Sequence, residues 1–172
     1  ARLYLMQDKK DRAVEIFESA VKENPGNTTA WLTLGYIHQE TGNTEKAVDI
    51  YKSALKTNPD LWAAANNLAF LLSEGQDSKE GLESALEYAE MAGRLNPGEP
   101  AVLDTMGWVY YRMGNMKKAL GFLEDSLEKK PGEPIFNYHA GMVLKAMGRN
   151  AEARDRFEKA LEGGADFPER KE

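Results

Sequence analysis

The side chains able to do acid–base or metal chemistry are few and badly placed for it. There are two histidines, His38 and His139, and no cysteine. Neither histidine has a thiol or a second histidine at ligand spacing, so a metal site would need carboxylates gathered from several distant segments. No H-E-x-x-H, G-x-S-x-G or P-loop pattern occurs. Carboxylates such as Glu45, Asp49, Glu124 and Glu128 fall on the outward positions of amphipathic helices, where solvated charge is the expected state. His38 sits at a packing position and reads as a core histidine. Gly163-Gly164 reads as a helix stop and not as a phosphate cradle. No enzyme, cofactor or metal is expected. What remains is recognition chemistry: aromatic rings, asparagines, and an Asp/Arg pair at regular intervals.

Those intervals are set by the elements that carry them. Pro25, Pro59, Pro97 and Pro131 are separated by 34, 38 and 34 residues, and each closes a helix-like run. Proline cannot continue a helix and restricts the residue before it, so periodic stops of this kind mark stacked units. In phase with them run five A-x3-x anchors: Ala13–Phe17, Ala47–Tyr51, Ala85–Ala89, Ala119–Leu123 and Ala153–Phe157. The clearest unit, 28–61, reads TTAWLTLGYIHQETGNTEKAVDIYKSALKTNPDL. Trp31, Leu34 and His38 share one face of a first helix, and Ala47, Tyr51 and Ala54 share one face of a second. Gly42-Asn43 is the turn between them, with Gly42 suited to a left-handed helix end and Asn43 to capping the next helix.

The W-x2-L-G spacing of Trp31, Leu34 and Gly35, followed by Ala47-x3-Tyr51, Ala54 and Pro59, resembles the tetratricopeptide repeat. His38 stands where that family has Tyr. The resemblance extends over nearly the whole chain: a single array over 1–167, with a partial repeat at 1–27, repeats at 28–61, 62–99, 100–133 and 134–167, and a polar tail at 168–172. The first unit retains only Leu3, Tyr4 and Leu5 of its first helix, and the chain begins inside a repeat, as a fragment would. The four extra residues of 62–99 are expected in a long turn, SEGQDSKEGLES, rich in Gly, Ser and charge. Ala89 replaces the usual aromatic there, with Tyr88 or Met91 available to compensate. No polar capping helix is visible after the last repeat. The implied fold is all-α: a right-handed α-solenoid of stacked antiparallel helix pairs.

In the family, first helices line a concave groove, and ligand contacts come from fixed positions of each unit. Carried onto this chain, the groove residues are Leu32, Tyr36 and Gln39; Asn66, Asn67 and Phe70; Asp104, Thr105, Trp108, Tyr111 and Arg112; and Tyr138, His139 and Met142. Position nine carries Tyr36, Phe70, Trp108 and Met142 in four consecutive units, off the face that stacks. An apolar stripe flanked by Asn66 and Asn67 suits an extended or helical segment of a partner protein. The family's carboxylate clamp does not fit. Its five positions hold Leu32, Tyr36, Asn67, Ala101 and Thr105 in one register, with one match, and Asn66, Phe70, Thr105, Ile135 and His139 in the next, with none.

The expected function is therefore a non-enzymatic scaffold with a protein or peptide partner. A self-assembly module stacking through its repeat ends, a possible homo-oligomer, is the alternative, with an enzyme far behind. The 172 residues carry a net charge of -6, which argues against a nucleic-acid partner, and no run approaches the roughly 18 apolar residues of a membrane span. The expectation is a soluble protein, cytoplasmic or periplasmic, with the compartment left open. LDTMGWVYYRMGN (103–115) and YHAGMVLKAMGR (138–149) resemble repeats of bacterial envelope and exopolysaccharide export proteins.

Overall fold

A computed structural model describes residues 10–75 and 78–162. Among these residues there are nine helices and no strand: α1 (Lys10–Glu23), α2 (Thr28–Glu40), α3 (Thr44–Thr57), α4 (Trp62–Gly75), α5 (Lys79–Leu95), α6 (Pro100–Arg112), α7 (Met116–Lys129), α8 (Pro134–Ala146) and α9 (Asn150–Glu162). From α2 onward they form four antiparallel pairs, each packed on the next, with α1 against α2. First helices also touch one another, α4 with α6 and α6 with α8, which places them on the inside of the curve. The architecture is a right-handed α-solenoid. The retained first-helix residues Leu3, Tyr4 and Leu5, the Gly163-Gly164 stop and the polar tail lie outside the described residues.

Local chemistry sets the ends of these helices. Asn27 Oδ1 accepts from the Ala30 amide at 3.1 Å, Ser78 Oγ from Gly81 at 3.1 Å and Asn115 Oδ1 from Lys118 at 3.3 Å. Each satisfies an amide that the first turn leaves without a helical partner. Pro100 and Pro134 open α6 and α8, where a missing N–H costs nothing. Gly42 ends α2 with φ 74°, its amide bonded to Gln39 and that of Asn43 to His38, the 5→2 and 6→1 pattern of a Schellman end. Asn43 does not cap α3 through its side chain; its Nδ2 donates instead to Thr41 Oγ1 at 3.0 Å.

The long unit departs from expectation. Only three residues, 76–78, separate α4 from α5, the same number as at 41–43, 113–115 and 147–149. The four extra residues lie in the helices: α4 has 14 residues against 13 in α2, α6 and α8, and α5 has 17 against 14 in α3 and α7. Ser78 starts α5 early, and the buried stripe Leu82, Ala85, Ala89, Ala92 runs at 3-4-3 spacing, so helical burial outweighs the loop-like composition.

Within each pair, a small residue on the first helix meets a large one on the second. Gly35 packs on Tyr51, Gly107 on Leu123 and Gly141 on Phe157. In the long unit this pairing becomes Ala69 with Ala89, and Tyr88 packs against the small cluster they form with Ala85 and Val109. Met91 packs elsewhere, with Ala65, Ala92 and Val102. Partly buried hydrogen bonds tie the helices: Ser126 Oγ donates to the Pro100 carbonyl of the same unit at 3.0 Å, and Asn67 Nδ2 to the Tyr51 hydroxyl of the preceding unit at 3.2 Å.

Candidate functional site

The inner face is built from α2, α4, α6 and α8, and its character changes along the array. At the α2 end, Tyr36 is 53% exposed, Leu32 and Gln39 are half-buried, and a cavity of about 190 Å³ is lined by Lys10, Tyr36, Ile37 and Glu40. Farther on, Phe70, Tyr111, Arg112, Tyr138 and Met142 are half-buried, whereas Asn66, Asp104, Thr105, Trp108 and His139 are buried. The position-nine stripe is thus discontinuous. Trp108, expected off the stacking face, is only 7% exposed.

A network spanning three units holds Trp108 down. Its indole Nε1–H donates to Glu74 Oε1 at 2.7 Å, and the Arg112 guanidinium donates to the same oxygen at 2.8 Å. The indole stacks on the His139 ring with centroids 4.1 Å apart, and Tyr111 lies 5.0 Å from it on the same helix. His139 Nδ1 is 2.8 Å from Asp104 Oδ2. With the carboxylate ionised, the ring Nδ1–H is the donor of this hydrogen bond. Glu74 is the residue that spacing undervalued. It stands one unit length before Trp108, and nothing in its own helix marks it as a tether.

Asn66 and Asn67, both expected to face a ligand, part company. Asn67 is committed to Tyr51, whose hydroxyl burial pushes up in pKa, with the Asn67 hydrogen bond pulling the other way. Asn66 is 9% exposed, and among the described residues its Oδ1 has no hydrogen-bond partner. His38 is a core residue, 6% exposed. Burial holds its pKa below 6.5, Lys46 adds to that, and Glu18 opposes it. Among the described residues, no group of three or more His, Cys, Asp or Glu side chains is arranged to hold a metal ion, and no helix is long and apolar enough to cross a membrane. The chemistry on offer is contact area, hydrogen bonding and a few charges.

Stacked antiparallel helix pairs define a helical-repeat protein of the class that generally serves as a non-catalytic interaction scaffold. Profiles described as Tetratricopeptide repeat match residues 4–69, 102–135 and 136–162. The chain belongs to the tetratricopeptide repeat family. A TPR repeat-containing protein of Pseudomonas aeruginosa is 27% identical over 135 residues, which is 74% of this chain and 22% of that one. Tetratricopeptide repeat protein 7A of Homo sapiens is 27% identical over 108 residues, 63% of this chain and 13% of its own length. The chain therefore spans under a quarter of the curated relatives it matches. Among solved structures, TTC0263, a thermophilic TPR protein of Thermus thermophilus, superposes with a TM-score of 0.78 at 27% identity, covering 94% of this chain and 86% of that one. MamA of Desulfovibrio magneticus shares the fold at a TM-score of 0.73 and 16% identity, covering 95% and 90%.

Proposed function

We propose that the inner face binds an extended or helical segment of a partner protein, and that the array over 1–167 acts as a single scaffold presenting that face. The observation that carries this reading is Tyr36. It is a large ring, 53% exposed, on the first helix α2, beside half-buried Leu32 and a cavity of about 190 Å³. An exposed ring set in a concave, partly apolar surface is favoured only when something covers it. Leu32, Gln39, Phe70, Tyr111, Tyr138 and Met142 extend the contact. Buried Trp108, Asp104, Thr105 and His139 act as the floor that fixes the groove's shape.

The test is selection of peptides from a display library on the immobilised chain, with affinities then read by fluorescence anisotropy. Tyr36→Ala and Phe70→Ala should weaken the selected peptides about ten-fold or more, as loss of a central aromatic contact does. Peptides that bind both variants as well as the parent would move the site off the inner face.

A second reading, self-assembly through the repeat ends, has one observation in its favour. Leu161 is 46% exposed, while its equivalent one unit earlier, Leu127, is 4% exposed against α8. Light scattering that gives a monomer at every concentration would remove it.

A further inference from the structure

Two acceptor atoms in the floor of the groove are unused. Asn66 Oδ1 and Asp104 Oδ1 are buried and, among the described residues, neither has a hydrogen-bond partner. Both belong to side chains at least nine-tenths buried, and both occupy the fifth position of successive first helices, α4 and α6, which touch. A buried acceptor left without a donor costs roughly 1–3 kcal/mol, more when it is charged. Two at the same position of adjacent units mark a place built to receive donors. The other Asp104 oxygen is engaged by His139, and one oxygen of the Glu74 carboxylate by Trp108 and Arg112.

The surroundings define the donor. Helical side chains lean toward the helix N-terminus, so Phe70 lies over the turn carrying Asn66, and Trp108 over the turn carrying Asp104. Phe70 also reaches across to His139, with ring centroids 6.2 Å apart, and Trp108 stacks on that same ring. Trp108 is tethered by Glu74, whereas the half-buried Phe70 ring has no polar atom to tether it. Two unpartnered acceptors, a carboxylate oxygen and an amide oxygen, thus sit one turn before an aromatic ring on two touching helices.

We infer that this subsite receives an arginine side chain of the bound partner segment. A guanidinium is planar, stacks on aromatic faces, stays charged, and presents five donors in a fork that can serve two acceptors together. Lysine would meet the carboxylate as a point charge without the stacking, and a backbone amide offers one neutral donor. The net charge of -6 favours the approach of a cationic segment. This inference rests on the groove-binding reading and adds the chemistry of its ligand.

The test uses the same display selection on the whole chain, followed by anisotropy with synthetic peptides. Selected sequences should share one arginine at a fixed position. Replacing it with glutamine should weaken binding about ten- to hundred-fold, the worth of charge-assisted hydrogen bonds, with lysine in between. Asp104→Asn should bring the arginine and glutamine peptides to within about two-fold of each other. Should Asp104→Asn lower the melting temperature too far to assay, the arginine-to-glutamine comparison on the parent chain decides by itself. Peptides that lose binding with Tyr36→Ala but carry no arginine, or that tolerate glutamine within about two-fold, would overturn the arginine subsite and leave groove binding standing. An absence of Tyr36-dependent peptides would overturn both.

Discussion

Glycine-to-alanine changes at two helical positions should have opposite signs. Gly121 lies on the exposed face of α7, and a Cβ added there would meet nothing within 4 Å. Alanine should stabilise the helix by about 0.8–1 kcal/mol, because it loses less backbone freedom on folding. Gly107 in α6 has the same propensity to gain. Its added Cβ, however, would sit 2.6 Å from Leu123 Cγ and 3.0 Å from the Ala119 carbonyl oxygen. Optimal carbon contacts lie near 3.5–4.0 Å, so the first overlap is roughly an ångström. Leu123 is fully buried and the second obstacle is backbone, so α6 and α7 must separate. Overpacking of this kind costs about 1–3 kcal/mol, and propensity returns at most about 1 of it. The expected result in urea titrations followed by circular dichroism is a higher midpoint for Gly121→Ala and a lower one for Gly107→Ala. The melting temperature should move by about 2–4 °C per kcal/mol. A Gly107→Ala variant at least as stable as the parent would refute the close approach of the two helices.

Three further outcomes follow from the buried polar groups. Asn137 is fully buried, donates to the Pro131 and Glu133 carbonyls at 2.8 and 3.0 Å and accepts from Arg156, so Asn137→Ala should cost about 2 kcal/mol, read as a lower urea midpoint. Trp108→Phe keeps a ring over His139 but loses the 2.7 Å bond to Glu74. It should lower the melting temperature modestly, equivalent to about 1 kcal/mol, and Glu74→Gln should lose part of the same amount. The His38 pKa is depressed in the folded state, so the unfolded chain binds the proton first as pH falls. Stability should therefore drop on acidification through the ordinary histidine range near 6.5 and level off once the folded ring also protonates. His38→Tyr should flatten that part of the profile, and an unchanged profile would refute it.

Much of the fold was legible because its signals are local. Four prolines, the A-x3-x anchors and the Gly42 turn report helix ends and faces, and each follows from backbone geometry within a few residues. The long unit was misread for a related reason. SEGQDSKEGLES has the composition of a loop, while the facts that decided against it, the Ser78 cap and the burial of Leu82 beneath its neighbours, belong to the assembled array. The groove was legible as a set of positions, but its exposure was not.

Tyr36 and Trp108 hold the same place in their units, and periodicity treats them alike. For Trp108 the next unit supplies His139 to stack on and the previous unit supplies Glu74 to bond, so the ring is buried. For Tyr36 the residue corresponding to His139 is Asn67, which is turned away toward the Tyr51 hydroxyl, and the ring stays open. The sequence by itself determined the repeat, the helices and the face on which each residue lies, because those depend on neighbours a turn apart. Only the tertiary structure decided which of those residues are exposed and which are buried. For Trp108 that depends on side chains 31 and 34 positions away, and no local period encodes it.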